Sequence, residues 1–284
     1  MRAGIELGGT KTVVALANDD FSVREQHRFP TTSPRETLQQ AIDWLQERGD
    51  VTELGVGAFG PISVNLGCSN YGEVLATPKA GWEGFNVVKA LEEGLPKARV
   101  VLDTDVNAAA LAEAKLGVAK GHENVAYITI GTGIGAGFLV ESRLLHGALH
   151  SEFGHLKVPR HPDDAFAGVC PFHGDCLEGL ASGTSLTQRW GCGGHELAAD
   201  HQAWEWEAWY LAHGILSMLA IVSPSMVVIG GGVSQAEGLH ARVEVQLREL
   251  AAGYFSVLTE ARSYVVAPSL EQNAGIQGAF LLTQ

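Results

Sequence analysis

The feature that most constrains the fold is a pair of strand-forming stretches joined by a glycine-rich turn, which occurs twice. Residues 2–7 and 12–17 flank a Gly-Gly-Thr-Lys turn, and residues 124–130 and 137–141 flank a Gly-Thr-Gly-Ile-Gly turn. Apolar, β-branched runs separated by such turns predict β-hairpins. Because strands and helices alternate along the chain, the pattern favours two α/β lobes with a ligand cleft between them.

Apolar periodicity and turn signals predict the other elements. Ser33 and Glu36, with Pro34 at the first helical position, form a capping-box pattern before an amphipathic helix. The pattern restarts after Asp105, which predicts an N-terminal lobe of residues 1–105 and a C-terminal lobe that begins at residue 106. Further elements are predicted as strands at residues 22–29, 51–59, 99–102, 226–229 and 263–266, and as helices at residues 85–94, 106–116, 178–190, 202–222, 239–252 and 273–282.

Charge and composition narrow the class of protein. The net charge of −13 disfavours nucleic acids and anionic membrane surfaces as partners. The 35 glycines exceed the usual ~7% of residues, so the excess is expected in loops that bind a ligand. Four cysteines are too few for a disulfide scaffold, and the N-terminal residues lack the apolar run of a signal peptide. We therefore expect a reduced, cytoplasmic protein with no membrane span.

The first glycine turn carries residue types that suit a polyphosphate. Gly8 and Gly9 allow backbone N–H groups to approach a ligand closely. Thr10 and Lys11 add a hydroxyl donor and a positive charge, and Glu6 can hold water around Mg²⁺. The P-loop pattern is absent and a strand follows the turn, so the predicted site is a phosphate-binding hairpin. The same glycines also suit an ordinary hairpin turn.

The second glycine turn, which contains Thr132 and Gly133, formally matches a dinucleotide-binding fingerprint. The residues after it are strand-like, whereas that fingerprint needs a helix whose N-terminus faces the pyrophosphate. A second phosphate-binding hairpin is the better interpretation, and a nicotinamide-dependent oxidoreductase is disfavoured. A third glycine turn follows the apolar strand at residues 226–229 and consists of Gly230, Gly231 and Gly232.

Two aspartates follow the end of one predicted strand. Asp103 and Asp105, separated by Thr104, precede a predicted helix, where a carboxylate can project into the cleft. Phosphoryl transfer to a hydroxyl needs a group that orients the hydroxyl and accepts its proton, and one fixed carboxylate suffices. The alternative is that Asp105 only caps the helix.

A short segment supplies the ligand types of a structural zinc site. Two cysteines six residues apart have a histidine midway, and a second histidine lies upstream. Four such ligands match a closed tetrahedral Zn²⁺ site, with free buried thiols as the alternative. Glu152 and Glu178 would lie near the metal and could accept hydrogen bonds from sugar hydroxyls. The four predicted ligands are His155, Cys170, His173 and Cys176.

An aromatic cluster begins one of the long predicted helices. It could stack on a carbohydrate, but its helical spacing favours a core or subunit interface. Its members are Trp204, Trp206, Trp209 and Tyr210.

Together these motifs resemble the ROK family (repressors, open reading frames, kinases) over essentially the whole chain, and its fructokinase branch in particular. ELGGTK is similar to the first phosphate loop, ITIGTGIGAGF with LLHG and EFGH to the family signature, CPFHGDCLEGLAS to the zinc knuckle, and VVIGGGV to the adenosine-side loop. FGP and TPKAGW are similar to fructokinase segments. Thr104-Asp105 stands where other members commonly have Asn-Asp, which disfavours a glucokinase.

The resemblance implies a two-lobed, actin-like ATPase fold of the α/β, ribonuclease H-like class, with the active site between the lobes. It implies a homodimer in which residues 273–284 pack back on the N-terminal lobe, so that the C-terminal lobe is residues 106–272. ATP, Mg²⁺ and a structural Zn²⁺ are the implied ligands. Asp105 is implied as the base that takes the proton from the sugar hydroxyl. The implied sugar-contacting residues are Gly60, Pro61, Thr104, Asp105, Glu152, His155 and Glu178.

The function expected from the sequence is ATP-dependent phosphorylation of D-fructose to fructose 6-phosphate. A glucokinase or mannokinase of the same family differs only in the shape of its sugar pocket, so both remain alternatives. A sugar-responsive repressor would need a helix-turn-helix before the first phosphate loop, where five residues precede Glu6.

Overall fold

The chain divides into two compact units in the computed structural model, which describes residues 1–284 except for the side chain of Glu271. The first unit comprises Met1–Gly117, Leu144–Ser151 and Leu270–Gln284, and the second comprises Val118–Arg143 and Glu152–Ser269. The sequence places the division after residue 105, whereas the first unit continues through the next helix. That helix packs against the last helix of the chain, which belongs to the same unit.

The first unit is built on a five-stranded mixed sheet. Its strands are β1 (Arg2–Leu7), β2 (Lys11–Ala17), β3 (Val23–Pro30), β4 (Glu53–Ala58) and β5 (Arg99–Thr104). The sheet order is β3-β2-β1-β4-β5: the hairpin strands pair antiparallel, whereas β4 pairs parallel with both β1 and β5. The carboxyl ends of β1 and β5 therefore lie at the same edge of the sheet, where Glu6 and Asp105 are found. The helices of this unit are α1 (Pro34–Gln46), α2 (Val87–Gly94), α3 (Asp105–Lys115) and α8 (Ala274–Leu281).

Helix α8 packs closely on the sheet and on α3 because glycines remove side chains from the contact. A Cβ atom at Gly55 on β4 would lie 1.7 Å from the carbonyl oxygen of Ala279. A Cβ atom at Gly278 would lie 1.8 Å from the carbonyl oxygen of Ala108 on α3. Both distances are shorter than any real contact, so these positions accept only glycine at this helix separation.

The second unit repeats the plan of one mixed sheet with helices. Its strands are β6 (Val125–Ile130), β7 (Ile134–Val140), β8 (Arg143–Leu144), β9 (Met226–Gly230) and β10 (Val265–Val266), in the order β10-β9-β6-β7-β8. β6 and β7 form the second hairpin, and β9 runs parallel to β6. Its helices are α4 (Leu177–Ala181), α5 (Gly183–Trp190), α6 (Ala203–Ile221) and α7 (Leu239–Ala251).

Three local predictions were wrong. Ser33 does not cap α1 with its side chain; its Oγ donates instead to the Glu36 carboxylate at 2.8 Å. The predicted helix at residues 178–190 is two helices, because Ser182 ends α4 and caps α5 through a hydrogen bond from the backbone N–H of Ser185. The second hairpin turn is also shorter than predicted, since β7 begins at Ile134.

The aromatic residues at the start of α6 belong to the core of the second unit. Trp204, Trp206 and Tyr210 are buried and pack with residues of the sheet, and Trp209 is partly buried against the same core. The interpretation of this cluster as core is therefore confirmed. Of the helices in the described part of the chain, none combines the length and the apolar character needed to cross a bilayer.

Candidate active site and metal centre

The first glycine turn is held by two residues outside it, Thr31 and Lys79, to which the sequence assigned no role. The backbone N–H of Gly8 donates to the carbonyl oxygen of Lys11 at 3.0 Å, which closes the turn. Thr31 holds it from one side through its hydroxyl, which donates to the Gly8 oxygen at 2.8 Å. Lys79, on the loop after β4, donates its ammonium to the Gly9 oxygen. The turn keeps Gly9, Thr10 and Lys11 exposed, as phosphate binding requires.

Glu6 stands near the end of β1 with one carboxylate oxygen buried. Oε2 is inaccessible to solvent and has no hydrogen-bond partner among the residues that the structure describes. Burial raises the pKa of Glu6, against the opposing charges of Lys11 and Arg28. Gly275 of α8 makes room for this carboxylate, because a Cβ atom there would lie 2.7 Å from Glu6 Cδ. An orphaned carboxylate oxygen is a donor atom that suits Mg²⁺, so the residue present fits the predicted ion.

Asp105 is the first residue of α3 and does not cap the helix. The N-cap is Thr104, whose Oγ1 accepts a hydrogen bond from the backbone N–H of Asn107 at 3.1 Å. Asp105 Oδ1 accepts a hydrogen bond from the adjacent N–H of Val106 at 2.9 Å. Burial and the negative charge of Glu6 raise the pKa of Asp105 from 3.8 to about 7. The capping alternative is wrong, and a carboxyl group with such a pKa has the proton affinity that a general base needs near neutral pH.

Gly60 and Pro61, which the sequence predicts to contact the sugar, lie on the long loop after β4. They are joined by a cis peptide bond. The carbonyl oxygen of Pro61 accepts from the N–H of Leu75 at 2.8 Å, and the N–H of Ile62 donates to Nε2 of His150 at 3.1 Å. These bonds tie the long loop after β4 to itself and to the segment Leu144–Ser151.

The second glycine turn joins β6 to β7 and lies against Glu178. The Gly131 N–H donates to the Gly133 oxygen at 2.9 Å, and Thr132 is exposed at the tip. Glu178 Oε2 accepts from the N–H of Ile134 at 3.0 Å, and a Cβ atom at Gly133 would lie 2.4 Å from that oxygen. Because a strand follows these glycines, the dinucleotide-binding interpretation fails on structure as well.

The third glycine turn follows β9 in the same unit. Gly231 has a φ of +91°, and a Cβ atom there would lie 2.4 Å from the carbonyl oxygen of Ile130. Gly232 has open space where a side chain would start, and Gly230 is the last residue of the strand. The turn leaves room for a ligand beside backbone groups.

The structure brings the four predicted zinc ligands together within the second unit. Their nitrogen and sulfur atoms all lie within 4.8 Å of one another. His155 Nδ1 is 3.7 Å from the Cys170 sulfur and 3.6 Å from the Cys176 sulfur, and His173 Nδ1 is 3.7 Å from the Cys170 sulfur. A tetrahedral ion with usual Zn–N and Zn–S bond lengths separates such ligand atoms by about 3.6 Å. The donor set and its spacing fit Zn²⁺.

His155 belongs to this cluster and also lies close to Glu152, a predicted sugar-binding residue. Its Nδ1 faces the two sulfurs, while its Nε2 is 3.8 Å from a carboxylate oxygen of Glu152. One imidazole can therefore bind a metal and keep its other nitrogen for a polar partner. Of the other cysteines, Cys68 is exposed and Cys192 is partly buried.

Comparison with known proteins agrees with these observations. Residues 2–284 match the sequence profile of the ROK family, so the chain belongs to the ROK family. It is 41% identical to the putative fructokinase of Bacillus subtilis, covering 99% of this chain and 95% of that protein. It is 40% identical to the fructokinase of Zymomonas mobilis, covering 98% of this chain and 94% of that protein.

A solved structure shows the same fold. The ROK hexokinase from Thermus thermophilus matches with a TM-score of 0.78 and 29% identity, covering 99% of this chain and 97% of that one. The predicted α/β class, a two-lobed actin-like ATPase fold, is confirmed, because each unit carries a five-stranded mixed sheet with helices.

Proposed function

We propose that this protein is an ATP-dependent fructokinase, which converts D-fructose to fructose 6-phosphate. The observation that carries the proposal is the Asp105 carboxylate, which stands at the start of α3 with its pKa raised to about 7. A carboxyl group with a pKa near the working pH is a competent general base for a hydroxyl proton. The fructokinase of Zymomonas mobilis at 40% identity and the putative fructokinase of Bacillus subtilis at 41% support fructose as the sugar.

In the proposed reaction, Asp105 accepts the proton of one fructose hydroxyl, while the oxygen of that hydroxyl forms a bond to the γ-phosphorus of ATP. The bond between that phosphorus and the β,γ-bridging oxygen breaks, and ADP leaves with the electron pair. Thr104 caps α3 and holds the backbone that carries Asp105. Most of the acceleration expected from this chain comes from orientation of the hydroxyl and from the base, which typically contributes ~10²–10⁴-fold.

Phosphate binding is assigned to the three glycine turns. In the first unit, backbone N–H groups of Gly8, Gly9 and Thr10 and the ammonium of Lys11 would hold phosphate oxygens. In the second unit, the turn residues Thr132, Gly133, Gly230, Gly231 and Gly232 would contact the nucleotide. Glu6 would hold Mg²⁺ through its water shell, and that ion, when bound, would neutralise charge on the phosphates.

Sugar binding is assigned to polar groups in each unit. Gly60, Pro61 and Thr104 would contact fructose in the first unit, and Glu152, His155 and Glu178 in the second. One oxygen of Glu178 accepts a hydrogen bond from the N–H of Ile134, which fixes the carboxylate and leaves the other oxygen for a sugar hydroxyl. A structural Zn²⁺ held by His155, Cys170, His173 and Cys176 would fix the orientation of the His155 ring.

The proposed assembly is a homodimer in the cytoplasm. Two cysteine sulfurs placed for metal binding suit a reducing compartment. Light scattering coupled to gel filtration tests the dimer, and a monomeric mass at working concentration would contradict it.

The experiment that tests the function is a comparison of kcat/KM for fructose, mannose and glucose with saturating ATP and Mg²⁺. We expect fructose to be preferred by at least ~10-fold, because a misplaced hydroxyl leaves a buried donor or acceptor without its partner, at a cost of about 1–3 kcal/mol. A preference for glucose or mannose would transfer the assignment to those kinases, and no turnover of any hexose would refute it.

A further inference from the structure

Asp103, the residue before the N-cap of α3, is a buried carboxylate at the centre of a hydrogen-bond network. Its side chain is only 6% exposed. Oδ1 accepts from the backbone N–H of Thr104 at 2.7 Å and from the side-chain amide of Asn107 at 2.8 Å. The network therefore spans both sides of Asp105 in the sequence and fixes the backbone at the start of α3.

The second oxygen of Asp103 is held by a histidine from a distant part of the chain. His146 Nε2 lies 2.7 Å from Asp103 Oδ2 and 3.5 Å from the Asn107 amide nitrogen. His146 belongs to Leu144–Ser151, which is part of the first unit. In the same segment, His150 accepts a hydrogen bond from the N–H of Ile62, the residue after Pro61. Two imidazoles thus fasten one short segment to the start of α3 and to the loop after β4.

We propose that His146 is a positioning residue for Asp105: by pairing with Asp103 it holds the network of Asp103, Thr104 and Asn107 that sets the direction of the catalytic carboxylate. The inference rests on the proposed role of Asp105 and adds a residue to that mechanism.

The physical argument is the cost of an unpaired buried charge. Asp103 Oδ1 accepts from two donors, Thr104 and Asn107. The third hydrogen bond of the carboxylate is the one between Oδ2 and His146. A buried carboxylate that loses a partner must take up a proton, draw in water or rotate, and each change disturbs the groups on its other oxygen. The hydrogen bond that His146 donates to Asp103 also raises the pKa of His146, because the carboxylate stabilises the protonated ring.

A double-mutant cycle tests the proposal, with kcat measured on the hexose that the wild-type enzyme phosphorylates fastest. His146→Leu should lower kcat by roughly 10²-fold, the size of loss expected when a reacting group is misplaced by about 1 Å. The dissociation constant for the sugar alone should change by less than about 3-fold, since Asp105 acts after the sugar is bound. His146→Gln, whose amide nitrogen can replace Nε2 as donor, should recover most of the loss.

The second arm of the cycle uses Asp103→Asn, which keeps an oxygen for Thr104 and Asn107 but removes the charge. In that background His146→Leu should cost less than about 3-fold in kcat, because the partner charge is gone. His27→Leu is the matched control: His27 lies on β3 in the same unit, packs against Phe29 and Trp44, and should leave kcat unchanged.

The inference would be overturned by an unchanged kcat in His146→Leu, by an equal loss in the Asp103→Asn background, or by a loss confined to sugar affinity. Thermal unfolding of each variant separates misfolding from mispositioning. A His146→Gln variant that is folded but does not recover kcat would also count against the inference. The cycle is measured on whichever hexose the wild-type enzyme phosphorylates fastest. If that hexose is not fructose, the proposed function is contradicted, but the double-mutant cycle still tests the role of His146.

Discussion

The negative charge of Glu6 on β1 acts on Asp105 at the start of α3 and, together with burial, raises the pKa of Asp105 to about 7. Two carboxylates that lie near each other and are partly shielded from water do not ionise freely. The same arrangement leaves Oε2 of Glu6 without a partner among the described residues. A divalent cation at Glu6 would relieve both costs. It would pair with the carboxylate oxygen of Glu6 and would lower the pKa of Asp105, so that the Asp105 carboxylate stays ionised and able to take up a proton.

Replacing Asp105 by Asn should lower kcat by at least ~10²-fold, because an amide cannot accept the hydroxyl proton. Fructose should still bind, since the remaining sugar contacts are intact. Coupled ATP turnover and calorimetric fructose binding measure the two quantities. Asp19→Asn, an exposed residue of the same unit, is the control. Near-normal turnover in Asp105→Asn would remove the residue from the mechanism.

The same substitution should stabilise the protein in alkaline, Mg²⁺-free buffer. The pKa of Asp105 is about 7 in the folded chain against 3.8 ordinarily. Between those values the unfolded state holds fewer protons, so this group destabilises the wild type progressively as pH rises from about 4 to about 7. The Tm of Asp105→Asn should exceed that of the wild type at pH 8, and the difference should shrink toward pH 4. A lower Tm at pH 8 would show that Asp105 is not strained by burial.

The pH dependence of kcat/KM should report this group directly. A base must be ionised to accept a proton, and kcat/KM for MgATP reports the enzyme before Mg²⁺ binds at Glu6. This kcat/KM should therefore fall as pH drops through the pKa of Asp105, about 7. Glu6→Gln removes the charge that helps raise this pKa, so the acidic limb should move to lower pH while the maximal rate also falls. An acidic limb centred near pH 4 in the wild type would contradict the raised pKa.

Removal of metal should unfold the segment that carries His155. Each purified chain is expected to hold one zinc ion by elemental analysis, and Cys170→Ser or prolonged chelation should remove it, with a lower Tm and loss of fructose binding. Cys68→Ser should keep its zinc, because Cys68 is exposed and outside the cluster. Fully active protein without stoichiometric metal would disprove the zinc site.

The close packing of α8 makes Gly55 a sensitive position. Gly55→Ala places a Cβ atom 1.7 Å from the Ala279 oxygen, so the helix must move off the sheet, at a cost of about 3 kcal/mol or more in unfolding free energy. Gly232→Ala, where the new atom meets open space, should unfold with nearly the wild-type free energy. Urea denaturation followed by circular dichroism measures both, and equal stabilities would mean that the contact is loose.

Much of the candidate site follows from short stretches of sequence. The glycine turns close through hydrogen bonds between near neighbours, such as Gly8 to Lys11. Cys170, His173 and Cys176 lie in one seven-residue stretch, so a few backbone turns suffice to bring them together. Amphipathic spacing likewise predicted α1, whose buried stripe includes Leu38, Ile42 and Leu45.

The sequence by itself determined where the glycine turns, the metal ligands and most helices and strands lie, because local hydrogen bonding and periodicity decide them. Only the tertiary structure decided the burial, the pKa and the long-range partners of the site's carboxylates. The pKa of Asp105 depends on burial and on Glu6, and the partner of Asp103 is His146, 43 positions away in the chain. The close approach of α8 to Gly55 spans still more of the chain. Burial and long-range contacts arise only when distant segments pack, and no local pattern records them.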